Sequence, residues 1–224
     1  MSRPVTQNAI TLDKVGHHFV SGDKIVHLFD NLSLVLEKGK TTAIIGPSGV
    51  GKSSLLALAA GLETPKVGGV QCHVGSKLLS LDEMRQASGF IFQQFHLLPE
   101  LDALNNLALP LRLRGDKGAY NTAEEWLQKI GLSDRADHKP SQLSGGEQQR
   151  IAIARAFITG PSFIFADEPT GNLDEKTSAV ITDLMFMCAR DTGAGLIIVT
   201  HSRALAARAD VCFQLSAGKL EAVA

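Results

Sequence analysis

Nine consecutive residues, GPSGVGKSS from Gly46 to Ser54, combine glycines, a lysine and two hydroxyls at the spacing G-x-x-x-x-G-K-[ST]. Chance alone gives that pattern in about one chain in a hundred of this size, so its setting matters. TTAIIG before it reads as a short buried strand, and LLALAA after it reads as a helix apolar all round that closes at Gly61. Strand, loop and helix is the arrangement in which a phosphate-binding loop works. Gly46, Gly49 and Gly51 are expected to take positive φ and turn backbone N–H groups onto phosphate oxygens at a helix N-terminus, with Pro47, Ser48 and Val50 completing the loop. Lys52 then reaches the β and γ phosphates of a nucleoside triphosphate. Ser53 offers its hydroxyl to Mg²⁺, and Ser54 adds a phosphate contact.

Further along, FIFADEPTGNLD is an apolar strand that ends in two adjacent carboxylates. Asp167 is placed to hold Mg²⁺ directly or through water, and Glu168 to accept a proton from the water attacking the γ-phosphate. LIIVTH is another buried strand with a polar tip, where His201 can hydrogen-bond the γ-phosphate or that water. SGFIF alternates as a strand and ends at Gln93, whose neutral amide can ligand a metal or hold a water. In LSGGEQQR, Ser144 and Glu147 form a capping box, so the helix Ile151 to Ile158 directs its positive end and the bare N–H groups of Gly145 and Gly146 outward, a geometry that suits an anion. Singly, Gln93 and His201 are also ordinary residues at strand ends. Phe19 can stack on a purine or pack in a core.

The elements that must position these groups follow from pattern. Length and composition give one α/β domain with a real core. Ala9 to Val15 and His27 to Leu36 read as antiparallel strands joined through a turn at Ser21 to Lys24, with His17 and His18 as loop residues lacking a third metal ligand. Leu62 to Gly75 is a turn and a strand, and Ser80 to Glu83 a capping box. Leu101 to Gly115 has leucines at helical spacing interrupted by Pro110, and Thr122 opens another helix with a capping box. Phe95 to about Ile158 is therefore an inserted helical lobe, cored by Trp126, Leu127 and Ile130, between core segments of about 1–94 and 159–224. Ile181, Leu184, Met185 and Cys188 give the helix after Asp174 a core face, and the tail reads as two strands about a Gly turn. A net charge of −1 leaves no basic footprint for nucleic acid. The opening residues lack an apolar signal core, and no run reaches the roughly 18 to 20 apolar residues of a membrane span, so a soluble, cytoplasmic chain is expected. Cys72, Cys188 and Cys212 lack metal-ligand spacing and suit a reducing compartment as small buried hydrophobes.

In order, the phosphate loop, FQ, LSGGEQQR, FIFADE, GNLD and TH resemble the nucleotide-binding subunits of ABC transporters over essentially the whole chain. GFIFQQFHLLPELDALNNLALPL, ADEPTGNLD and LAARAD are most similar to the branch serving lipoprotein release, macrolide-type export and related bacterial exporters. The resemblance implies an α/β P-loop NTPase (RecA-like) core with an antiparallel β subdomain and an inserted helical subdomain, an ATPase using ATP and Mg²⁺. It puts Phe19 at the adenine-stacking aromatic, more often Tyr, and Gln93, Asp174 and His201 at the Q-loop, D-loop and switch positions. It also implies two copies packed head to tail, each ATP lying between one phosphate loop and the other chain's LSGGEQ (Ser144, Gly145, Gly146, Glu147), and a membrane permease that holds the subunit at the inner face of the membrane. Export or extraction of a lipoprotein-like or hydrophobic substrate is the expected task; the alternatives are an importer ATPase for a small nutrient and a soluble scaffold of the Fe–S assembly type. Two departures stand out: Val70 to Phe90 looks shorter than usual for this branch, and Phe19 lacks a tyrosine's hydroxyl.

Overall fold

The computed structural model describes residues 8–21 and 24–223. Two long strands, β1 (Ala9–Ser21) and β2 (Lys24–Glu37), pair antiparallel, with Ala9 opposite Glu37 and Phe19 opposite Val26. Gly22 and Asp23, at the centre of the expected turn, lie outside the described residues. GHHF is not a loop as expected: His17, His18 and Phe19 all pair within β1, and β-bulges on either side of His17 absorb the irregular alternation that made the stretch read as a break. β4 (Val67–Val74) pairs with β1 and β5 (Lys77–Leu79) with β4, giving a four-stranded sheet in the order β2-β1-β4-β5.

The second sheet is built on β3 (Thr41–Ile45), β6 (Ser88–Phe92), β7 (Phe163–Asp167), β8 (Gly195–Thr200), β9 (Val211–Ser216) and β10 (Lys219–Val223), in the order β10-β9-β3-β8-β7-β6. All neighbours in it are parallel except β9 and β10. Parallel strands are covered on both faces, which is why TTAII, FIFAD and GLIIVT are near-continuous apolar runs. Helix α1 (Lys52–Ala59) and β1, β2 and β4 close one core, centred on Phe29, Leu55, Leu58, Phe163 and Phe165. Helix α2 (Leu81–Gln86), begun by the expected Ser80–Glu83 capping box, adds Met84 to it. Cys72 belongs to this core and Cys188 to the opposite one; burial pushes both thiols up to about 11, while Cys212 is half-buried.

Three helices follow β6: α3 (Ala103–Leu113), α4 (Ala119–Lys129) and α5 (Gly145–Phe157). Leu107, Leu111, Ala123, Leu127, Ile130 and Ile151 core this lobe, with Trp126 at its margin. Two expectations here need correction. Pro110 does not interrupt α3: the helix runs through it to Leu113, although its missing N–H leaves the Asn106 carbonyl without the usual i+4 donor. Thr122 does not cap α4: Asp116 accepts from the N–H of Gly118 at 2.8 Å, starting the helix a turn earlier, and the N–H of Thr122 already bonds back to Gly118. α5 likewise begins at Gly145, directly after its cap, rather than at Ile151. It packs against both cores, giving Ile151, Ala154 and Ile158 to the lobe and Ile153, Ala156 and Phe157 to the sheet. Helix α6 (Glu175–Thr192) buries Ile181, Met185 and Cys188 on the sheet's other face, with Leu184 partly buried, and α7 (Arg203–Ala206) follows β8.

Candidate active site

The register of the parallel strands brings the separate motifs together. Ile45 on β3 lies opposite Thr200 on β8, Val199 opposite Asp167 on β7, and Asp167 opposite Phe92 on β6. The residues that follow these tips, Gly46, His201, Glu168 and Gln93, therefore emerge side by side at the carboxyl ends of four adjacent strands, where open α/β sheets bind ligands.

An open cavity of about 320 Å³ there is lined by Phe19, Leu28, Ser48, Gly49, Gly51, Lys52, Ser53, Ser54, Asp167 and Glu168. α1 starts at Gly51 with no side chain capping it, so the N–H groups of its first turn are free for an anion. Gly49 and Gly51 take φ of +77° and +102° as expected, but Gly46 does not. Gly46 is required by space: a Cβ there would sit 2.5 Å from the Leu215 carbonyl oxygen and 3.1 Å from Val50. Pro47 contributes its carbonyl. The Lys52 ammonium, buried at 8 % exposure, donates to the Gly46 and Pro47 carbonyls at 2.9 and 3.1 Å, which holds it inside the loop it must serve.

Glu168 takes the left-handed backbone, φ +45°, a strain on the order of 1–3 kcal/mol for a non-glycine residue. Several bonds hold it there. Its N–H donates to the Val199 carbonyl at 2.9 Å, and its carbonyl accepts from Gly171 at 3.0 Å. Its Oε2 accepts from the Thr200 hydroxyl at 3.0 Å and the His201 N–H at 3.2 Å, and lies 2.9 Å from His201 Nδ1. Oε1 stands 4.0 Å from Lys52 Nζ. Burial pushes the Asp167 carboxyl above the usual carboxylate range, reinforced by Glu168 and opposed by the Ser53 hydroxyl and Lys52. A hydroxyl and a partly buried carboxylate whose charge is only partly offset by Lys52 form the hard-oxygen set suited to Mg²⁺, which takes few protein ligands. The residues present fit that ion.

Gln93 is held elsewhere. Its Nε2 donates to Asn172 Oδ1 at 2.9 Å and its carbonyl accepts from Asn172 Nδ2 at 3.0 Å, while Gly171 packs so closely that a Cβ would lie 2.9 Å from Nε2. Asp174 caps α6 by accepting from the Thr177 N–H at 3.0 Å, and the Thr177 hydroxyl, then its N–H, hold the carboxyl below the ordinary range. Ser144 and Glu147 make the expected capping box at the start of α5, with Glu147 also 3.1 Å from Arg135. Gly145 and Gly146 abut Phe95, Leu173 and Thr177. None of these four signature residues lines the phosphate-loop cavity. Sequence reasoning missed Thr200, Asn172 and Gln149, which act by tertiary contact. It also missed Asn106, fully buried on α3, whose side chain bonds the Leu98 N–H and the carbonyls of Leu98, Leu101 and Asp102.

Residues 29–171 match the family described as ABC transporter. The chain is 44 % identical to an uncharacterized ABC transporter ATP-binding protein, YbbA, of Escherichia coli K12, over 96 % of this chain and 97 % of that one. It is 41 % identical to the lipoprotein-releasing system ATP-binding protein LolD of Xanthomonas axonopodis pv. citri, over 96 % and 91 %. Among solved structures it is similar to the dimeric bacterial ABC transporter cassette MJ0796, at TM-score 0.82 and 36 % identity over 95 % of this chain and 96 % of that one. A second structure of that cassette, in a post-hydrolysis state with ADP and Pi, matches at TM-score 0.81 and 35 % identity. With a phosphate loop, a hard-oxygen pair and a held carboxylate at the tips of four parallel strands, the chain belongs to the ABC transporter family, as an ATP-binding subunit that hydrolyses ATP with Mg²⁺.

Proposed function

We propose that the chain works as one of two identical ATPase subunits packed head to tail, and that the pair drives a separate membrane permease from the inner face of the membrane. The observation that carries this reading is the signature segment. Ser144 and Glu147 cap α5 so that the glycine-lined helix end can receive an anion, yet that end lies outside the chain's own phosphate cavity. A second copy supplies the missing phosphate. In each composite site the glycine loop and Lys52 bind the β and γ phosphates, Phe19, 47 % exposed on the cavity wall, stacks on the adenine, and Ser53 and Asp167 hold the metal. Mg²⁺, when bound, neutralises charge developing on the phosphates. Glu168 accepts the proton of the attacking water, with its Oε2 oriented by Thr200 and His201. Gln93, whose Nε2 bonds Asn172, would offer its amide oxygen to the metal, and Asp174, which caps α6, would face the second copy.

The permease reading rests on a second feature. A groove of about 1180 Å³ runs between β6 and α3, floored by Phe90 and Phe92 and edged by Leu109, Pro110 and Leu113, the last 79 % exposed. Leu98, 42 % exposed, stands on the segment leading from Gln93 into α3, whereas Leu97 packs into the lobe. An apolar segment of the permease seated there moves with Gln93. No helix among the described residues is long and apolar enough to cross a membrane, so attachment to a membrane runs through such a partner. The lipoprotein-release names of the LolD relatives support a lipoprotein-like or hydrophobic substrate. The test is co-expression with the permease encoded by the neighbouring reading frames. Recovery of the chain in the membrane fraction only when the permease is present supports the reading; failure of every neighbouring permease to retain it favours a soluble scaffold of the Fe–S assembly type.

A further inference from the structure

Gln149 sits on α5 five residues beyond Ser144 and is fully buried, with Ile151, Ala152, Ile153 and Ala154 buried beside it. Its Nε2 donates to the Pro169 carbonyl at 2.6 Å, and its Oε1 is buried with no hydrogen-bond partner among the described residues. A buried amide is costly unless both ends are paired, and an apolar side chain of the same volume packs without an orphaned oxygen. Packing alone therefore does not account for a glutamine here. The bond it makes does. Pro169 has no N–H, so its carbonyl is the one backbone group by which that residue can be tied down. It directly follows Glu168, whose left-handed backbone persists only if the surroundings over-determine it. Thr200, His201 and Val199 fix Glu168 from β8, and Gly171 closes the turn after it. Gln149 is the anchor contributed by α5, the helix that opens with the signature.

We infer that Gln149 is a positioning residue for Glu168, setting the carboxylate's place through the Pro169 carbonyl and so making the position of the signature helix a determinant of the hydrolytic step. This rests on the reading of Glu168 as the group that takes the proton from water. A displacement of Ser144 and its glycines along the α5 axis would then be felt at Glu168 without any contact between the two, because one buried side chain joins the helix to the residue beside the carboxylate. Gln149 does not line the nucleotide cavity, and the phosphate loop and Phe19 that do line it lie on other elements, so ATP affinity serves as the control.

The test is a double-mutant cycle on the full-length chain: wild type, Gln149→Met, Glu168→Gln and the double variant, read by ATP affinity, thermal unfolding and single-turnover release of phosphate from saturating ATP. Gln149→Met keeps the length and roughly the volume of the side chain and removes the whole amide, the donor to Pro169 together with the orphaned Oε1. The expected result is a loss of about 10²-fold in rate, the scale of a misplacement near 1 Å, with ATP affinity unchanged. In the Glu168→Gln background the same change should move the residual rate by no more than about 2-fold. Equal losses in both backgrounds, or a loss confined to ATP affinity, overturn the inference, because a merely structural amide acts whether or not residue 168 is a carboxylate. Should Gln149→Met not fold, Gln149→Leu takes its place in the cycle; if neither accumulates as folded protein, the amide is structural and the inference fails. Wild-type turnover in Glu168→Gln alone would instead remove the reading of Glu168 itself, an outcome visible before Gln149 is changed.

Discussion

In the proposed mechanism Glu168 and Lys52 divide the chemistry between proton transfer and binding, and their substitutions should separate accordingly. Glu168→Gln keeps the side chain's shape and its bond from Thr200 but cannot take a proton, so steady-state hydrolysis should fall about 10² to 10⁴-fold while ATP affinity is kept. Lys52→Ala should weaken ATP binding itself, as measured by titration with a fluorescent ATP analogue. The glycines of the phosphate loop differ in what they require. Gly46→Ala forces a Cβ against the Leu215 carbonyl and should cost about 1–3 kcal/mol in denaturant unfolding, an overpacking penalty, whereas Gly49→Ala meets nothing within 4 Å and should cost about 1–2 kcal/mol, from its left-handed φ alone. The sequence pattern located all of these residues because their spacing is local. It assigned Gly46 the wrong requirement because the Leu215 carbonyl belongs to a strand 169 residues away. Thr200, Asn172 and Gln149 were illegible for the same reason: an amide or hydroxyl has no function until the fold supplies its partner.

At the level of elements, strands and caps were readable and junctions were not. Apolar runs marked the parallel strands, and the Ser80–Glu83 box marked the start of α2; the Ser144–Glu147 box was recognised too, but the helix it opens begins at Gly145 and was read only from Ile151. The start of α4 escaped because the competing turn at Asp116 captured the chain before Thr122 was reached. GHHF escaped because bulges break the two-residue alternation by which a strand is recognised. The cap of α5 carries a pH consequence. The backbone N–H and hydroxyl of Ser144, and then Arg135, hold the Glu147 carboxyl below its ordinary 4.5. A carboxyl with a depressed folded pKa contributes stability above its unfolded value and loses it as pH falls through the folded one. Wild type should therefore be more stable than Glu147→Ala at pH 7, and the difference in urea midpoint should narrow below about pH 4.5. A difference that stays constant to pH 3 would show that the charge of Glu147 contributes nothing.

For the whole molecule, the head-to-tail proposal gives the chain two halves of a nucleotide site on different surfaces, and a groove lies between β6 and α3. Leu98→Asp tests whether the segment leading from Gln93 into α3, rather than the groove's own lining, meets the permease. Because Leu98 is exposed while Asn106 pins the backbone around it, the variant should keep its melting temperature and ATPase activity yet lose recovery in the membrane fraction, since its carboxylate is desolvated only on binding. Undiminished recovery would exclude Leu98 from the interface, and a sharp fall in melting temperature would assign it to the core. The proposed two-copy arrangement comes from family resemblance, since no spacing within one chain says which surface meets another; the structure adds that the capped signature end does not line the chain's own phosphate-loop cavity. The most direct test of that arrangement mixes two inactive chains, Lys52→Ala and Ser144→Arg, and measures ATP hydrolysis against the mixing ratio. If the signature acts across the dimer, each mixed pair carries one site with an intact loop and an intact signature, and activity should rise from near zero to a maximum at equal amounts. No activity at any ratio would mean that each chain completes its own site, and would contradict the head-to-tail account.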